Sequence, residues 1–176
     1  DPHARWVFRD DDRRLDRLDR GYAVGLRGLW MPQDACYTTA GIAGAALWMR
    51  PGKARMGVLG QLRLAPATIR AYGRDVVPVA RLFALMDSMH PHEPDHWYLA
   101  MVGVAPQWQG RGIGAALMRP VLDECDADGI PAYLEASSER NRALYERHGF
   151  EVMDEYHLWD GGPPGWRMWR EPRATG

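Results

Sequence analysis

The run Gln109-Gly110-Arg111-Gly112-Ile113-Gly114 combines the residue types that hold a phosphate. Whether it can do so depends on what stands on either side. Before it lies an apolar stretch, Trp97 to Val104, that turns at Ala105-Pro106. After it, Ile113, Leu117, Val121 and Cys125 recur every four residues, the spacing of one helix face. A strand, a glycine-rich turn and a helix start leave backbone N–H groups unpaired at the positive end of a helix dipole. Glycine lets a pyrophosphate come close to that backbone because no Cβ intervenes. Arg111 adds a mobile positive charge.

Two familiar phosphate motifs do not fit. A dinucleotide fingerprint needs G-x-G-x-x-G early in a βαβ unit, and the glycines at 110, 112 and 114 are spaced otherwise. A mononucleotide P-loop ends in Gly-Lys-Ser or Gly-Lys-Thr, which this turn lacks.

The elements that must position the turn read as follows. Asp10-Asp11-Asp12 precede a helical stripe of Leu15, Leu18, Tyr22, Leu26 and Leu29 that should end near Trp30, ahead of Pro32. Cys36 to Thr39 and Ala43 to Arg50 read as short strands. Residues 54 to 72 read as short helices broken at Gly60 and Pro66, and a firmer helix runs from about Arg74 to Met89. The glycine-rich turn then opens a helix that Pro120 should kink and Gly129 should cap. Pro131 to Ser137 is the next strand, Glu139 to His148 a short helix, and Phe150 to Tyr156 and Trp166 to Arg170 a closing strand pair. The expected fold class is mixed α/β, a central mixed sheet flanked by helices, in one domain spanning 1–176.

Composition narrows the function. At 176 residues and 46% apolar content the chain can bury a real core. A net charge of −1 argues against a nucleic-acid partner, and no apolar run is long enough for a membrane span. Cys36 and Cys125 have no metal or redox spacing, suit a reducing cytoplasm, and are expected to be buried as small apolar residues. His90-Pro-His-Glu-Pro-Asp-His96 carries ligand-type side chains, but its two prolines mark an extended polar connector, and no metal site is expected there. Trp6, Trp30, Trp97 and Trp159 could line an acceptor pocket, although aromatics at these spacings more often form core.

The pattern Gln-x-x-Gly-x-Gly, entered from WYLAMVGV through Pro106 and followed by LEAS and NRALYERHGF, resembles the acyl-CoA signature of the GNAT superfamily of N-acetyltransferases. More narrowly, the His-x-Glu-Pro before the strand, Pro120, and GIPAYLEASSERNRALYERHGF resemble puromycin N-acetyltransferase and its actinobacterial relatives. The likeness is good over residues 91 to 156 and weak before them. It implies acetyl-CoA as cosubstrate, seated in a split between the strand ending at Val104 and the strand beginning near Pro131. Backbone groups of Val102, Gly103 and Val104 would hold the pantetheine and polarise the thioester carbonyl, as oxyanion donors do. The amides from Gln109 through Gly110, Arg111, Gly112, Ile113 and Gly114 would hold the pyrophosphate.

Tyr145 matches the family tyrosine that protonates the departing thiolate, a task its ordinary pKa near 10 allows. Asn141, one turn earlier on the same face, is a further CoA contact or a helix cap. Glu135 matches a position some family members use as general base, and strand alternation puts it with Tyr133 and Ser137, opposite Ala132, Leu134 and Ala136. The resemblance therefore implies direct acetyl transfer to a primary amine, most simply that of a small antibiotic-like molecule or metabolite, with homodimers within the family's range. Protein or peptide N-terminal acetylation, or acyl-CoA binding without catalysis, are the rival readings. Asp1 stands where Met would open a complete chain, and DPHARWVF resembles a region after the family's first strand and helix. We therefore expect those elements to be missing and Cys36 to Thr39 to lie at an exposed sheet edge.

Overall fold

The computed structural model describes residues 1–174. Six strands form one sheet in the order β1-β2-β3-β4-β6-β5. They are β1 (Cys36–Thr38), β2 (Gly44–Met49), β3 (Trp97–Val104), β4 (Ala132–Ala136), β5 (Glu151–His157) and β6 (Pro164–Arg170). Only β3 and β4 run parallel, as their connection requires: the chain crosses over through α5 (Ile113–Asp128). β1 stands at one edge of the described sheet, as expected, and β5 at the other.

α5 lies on one face of the sheet. Its stripe Leu117, Met118, Val121, Leu122 and Cys125 is buried against Ala46, Trp48, Leu99, Leu134 and Met168. Pro120 falls inside α5 without ending it, and Gly129 closes it at φ +68°, the left-handed conformation expected of a glycine cap. α6 (Glu139–Glu146) joins the same core through Tyr145.

The opposite face is covered by the end of α2 (Arg14–Gly25), whose helical path continues through Leu26–Trp30 as a π turn. Trp30, Leu26 and Leu29 pack there on Leu47, Met49, Tyr98, Ala100 and Met101. α3 (Val58–Tyr72) and α4 (Val76–Met89) complete this side, with α1 (Pro2–Val7) against α4. α1 was not foreseen; Asp1 caps it by accepting from the Ala4 amide at 2.9 Å.

Two expectations need correction. Residues 58–72 form one continuous helix rather than fragments. Gly60 falls in the first turn, where little is lost, and Pro66 removes one hydrogen bond from a helix held along its length by packing on α2. Cys36 is exposed, because it belongs to the edge strand; Cys125 is fully buried as expected.

Candidate active site

β3 and β4 are paired over only three positions, Trp97↔Ala132, Tyr98↔Tyr133 and Leu99↔Leu134. Beyond Leu99 they part. The cause lies on the other edge of β3, where Leu47 opposes Met101 and Trp48 opposes Leu99, so Ala100 is an extra residue. Such a bulge bends a strand and raises its twist. Here it falls at the last β3–β4 pair and turns the remainder of β3 away from β4. The result is a V-shaped opening at the C-terminal ends of two parallel strands, leading directly into the glycine-rich turn.

The alternation of antiparallel bonds sorts the backbone groups along this opening. The Ala105 amide donates to the Ala43 carbonyl at 2.8 Å. The same alternation commits Gly103 to its partner Ala45 and directs the groups of Val102 and Val104 toward the split. Gly103 therefore leaves the set of backbone contacts expected from sequence. Gln109 has a different part from the one expected. Its side-chain amide donates to the Val104 carbonyl at 3.0 Å and its own backbone amide reaches Pro106 at 3.3 Å, so it braces the turn instead of offering a free N–H.

The glycines do fit a cradle. Gly110 and Gly112 both have φ +77°, where a side chain would be strained, and no protein atom lies within 4 Å of the point a Cβ would occupy. Gly112 is the residue before α5, and the first helical bond, Ala116 to Gly112, leaves the amides of Ile113 and Gly114 without helical acceptors. Arg111 stacks its guanidinium over Trp108, 4.8 Å from the ring centre, and is held at the rim of the turn. A pyrophosphate would find unpaired amides, open space and a cation here, and the residues present fit that group.

α6 reaches the same place. A Cβ on Gly114 would lie 3.6 Å from Leu144 and 3.8 Å from Val104, so the end of β3, the start of α5 and the second half of α6 converge. Tyr145 follows Leu144. Its ring packs in the α5-side core, 6.1 Å from the Phe150 ring centre, and its hydroxyl makes no hydrogen bond within the described residues. Burial alone pushes this phenol up to about 12. Asn141 is half-buried one turn earlier, but it is not the cap. Ser138 fills that role by accepting from the Asn141 amide at 3.3 Å.

Glu135 lies on the other face of β4, with Tyr133, while Ala132, Leu134 and Ala136 join the α5-side core, as alternation requires. Its Oε1 is shut off from solvent and has no hydrogen-bond partner. Burial raises the carboxyl to about 7; Tyr98, Tyr133 and the Arg167 guanidinium pull the other way without reversing this. The sheet register delivers these neighbours: Tyr98 opposes Tyr133 and Arg167 opposes Glu135. Arg167 in turn donates to the Tyr133 hydroxyl at 3.3 Å and pairs with Asp154 at 2.7 Å. Tyr133 was expected beside Glu135 from alternation; Tyr98 and Arg167 escaped the sequence reading, since only strand register brings them there.

The same face holds two further unforeseen residues. His90 and His96, at the ends of the loop expected to be a polar connector, are buried, with their Nε2 atoms 3.1 Å apart. Their rings stand edge-on to Tyr133, and His90 also to Tyr98. The four tryptophans, by contrast, are scattered. Trp97 is core under α5, edge-on to Trp48; Trp159 carries Arg81 on its ring; Trp6 packs at Gly162. Only Trp30 packs on the strand that opens.

Residues 67–150 match the Acetyltransferase (GNAT) family. An uncharacterized N-acetyltransferase of Schizosaccharomyces pombe is 30% identical over 146 residues, which cover 78% of this chain and 56% of that protein. Mycothiol acetyltransferase of Beutenbergia cavernae is 42% identical over 72 residues, 38% of this chain and 24% of that protein. The chain thus spans about half the length of the first relative and a quarter of the second. In structure, an acetyltransferase of Corynebacterium glutamicum related to a histone acetyltransferase superposes with a TM-score of 0.69 at 23% identity, over 99% of this chain and 84% of that one. The chain has the GNAT fold, and its segment 67–150 matches the model of the GNAT acetyltransferase family.

Proposed function

We propose that this protein transfers the acetyl group of acetyl-CoA directly to a primary amine, and that the acceptor is a small molecule. The observation that carries the reading is the opening of β3 from β4 at the Ala100 bulge, continuous with the open amides at the start of α5. Gly110, Arg111, Gly112, Ile113 and Gly114 would hold the pyrophosphate, and Val102 and Val104 the pantetheine arm, with Asn141 alongside.

The two candidate catalytic groups flank the split from opposite faces. Glu135, near half-ionised at neutral pH, is poised to take a proton from the attacking amine. Tyr145 stays protonated throughout the physiological range. At about 12 it is a weak acid, so its contribution is a hydrogen bond to the departing sulfur more than complete proton transfer. The half-buried, polar and aromatic surroundings of Glu135 favour an amine with an apolar body. No described helix is long and apolar enough to cross a membrane, and the cytoplasm, where acetyl-CoA is available, is the compartment this reading implies.

The test is thiol release from acetyl-CoA across a panel of small amines and N-terminal peptides. Transfer to a small amine supports the reading; transfer to peptides alone replaces the acceptor class. CoA should raise the Tm of the wild-type protein, as any ligand of the native state does. Gly112→Asp puts a carboxylate into the cradle and should abolish that rise. Equal stabilisation of both proteins would remove the phosphates from this turn.

A further inference from the structure

We propose that a second site, between the start of α2 and the end of α3, binds a small multiply charged oxyanion of the phosphate class. A cavity of about 490 Å³ lies there, lined by Arg9, Arg13, Arg17, Arg20, Arg70 and Arg74 together with Asp11 and short stretches of backbone. The volume is within the usual range of small-molecule sites.

The start of one helix and the end of another assemble it. Arg13, Arg17 and Arg20 follow one another at four and three residues along one side of α2. Arg70 stands in the last turn of α3, and Arg74 in the tight turn Gly73–Asp75 that follows it. The two rows meet because Gly21 lets α2 settle on Tyr72; a Cβ at that position would stand 2.1 Å from the tyrosine ring.

The charge balance is what points to a ligand. Buried Asp75 takes Arg17 at 2.6 Å and Arg9 at 3.3 Å, Asp11 takes Arg17 at 2.9 Å, and Asp16 takes Arg20. Those carboxylates account for three of the six arginines. Arg13, Arg70 and Arg74 form no ion pair within the described residues, yet all three line the same cavity. Three unmatched guanidinium groups converging on one space repel one another unless an anion joins them. Their planar forks suit the oxygens of a phosphate better than those of any neutral ligand. The site stands on the α2–α3 pair, whereas the glycine-rich turn opens α5 on the other side of the sheet, so it can be filled whether or not CoA binds.

Inorganic pyrophosphate is the probe, and calorimetric titration at moderate salt is the measurement. Because the glycine-rich turn would also attract it, the titration is run on Gly112→Asp protein. Pyrophosphate should bind that protein, with affinity falling as salt rises. Adding R70A should weaken binding about tenfold, and R70A with R74A about a hundredfold, the scale of one charge-assisted hydrogen bond for each arginine. Both side chains are exposed and unpaired, so the fold should survive; R13A alone provides an independent second variant. Absence of binding to Gly112→Asp protein, or unchanged affinity in both R13A and R70A/R74A, would overturn the proposal.

Discussion

The two faces of the sheet are built to different rules. Under α5, the fully buried side chains include Trp48, Met118, Val121, Leu134 and Met168, with Cys125 among them as a small apolar filler. Across β4, a few ångströms away, the same strands bury or half-bury Tyr98, Tyr133, Glu135, Arg167 and the His90–His96 pair. The first face needs nothing beyond packing. The second keeps titratable groups where their charged forms are disfavoured, Glu135 raised to about 7 and His90 lowered to about 4. Groups held in this way are a liability for stability, and they gather where proton transfer is wanted. On the proposed function, stability belongs to the α5 side and chemistry to the other, with Tyr145 the exception that would reach the split from the packed side.

The largest expected effect is that of Glu135→Gln. If Glu135 is the base, kcat/KM at neutral pH should fall by about 10²–10⁴-fold, and its rise through a pH of about 7 should disappear. Stability should move the other way. The carboxyl titrates at about 7 when folded and near 4.5 when unfolded, so between those values the folded protein holds more proton. Wild type therefore loses stability as pH rises from 4.5 to 7, up to about 3 kcal/mol, and the glutamine variant does not. Denaturation at pH 8 should show the inactive variant to be the more stable one. A variant that is both inactive and less stable would place Glu135 among the structural residues.

Tyr145→Phe comes next. The ring and its contact with Phe150 remain, so Tm and KM for acetyl-CoA should stay near wild type. Loss of the hydroxyl should reduce kcat by about 10²-fold, the lower end for a positioned acid, since a phenol at about 12 gives a hydrogen bond more readily than its proton. Turnover within a few-fold of wild type, under conditions where chemistry limits the rate, would make Tyr145 an ordinary member of the α5-side core and restore the symmetry of the comparison.

The packed face was far easier to read in the sequence than the other. Four-residue spacing announced α5, and the glycines announced its start, because both are local patterns. The bulge at Ala100 left no mark, since β3 is an unbroken apolar run with no alternation to interrupt. Glu135 was found through its strand, but its neighbours come from β3 and β6, and register is not a local property. Helix α3 was misread for a related reason: Gly60 and Pro66 are local breakers, overridden by packing against α2. The buried histidines were hidden by the prolines around them, which correctly signal a loop but not that its ends are covered.

Those histidines supply the smallest effect and the sharpest test of how the polar face is held. His96 meets the Pro94 carbonyl through Nδ1 at 2.8 Å, which makes that nitrogen the donor and leaves Nε2 as acceptor for the Nε2–H of His90 at 3.1 Å. Both rings are then neutral. Burial lowers His90 first, followed by the neighbouring His96 and Arg55, to about 4; burial likewise lowers His96. A histidine whose folded pKa lies below its unfolded value near 6.5 contributes stability above 6.5 that is lost as pH falls toward 4. Protonating His96 would also set two N–H groups against each other at 3.1 Å. The cavity bounded by Arg55, His90, His92 and His96 brings solvent to the pair, so screening reduces the effect to about 1–2 kcal/mol. Replacing both rings by phenylalanine keeps the aromatic packing against Tyr98 and Tyr133 and removes the titration. Between pH 7 and 4.5 the wild type should lose about 1–2 kcal/mol more unfolding free energy than the double variant. Parallel curves for the two proteins would show that the pair is already solvated, and that the buried polarity of this face is confined to Glu135 and its tyrosines.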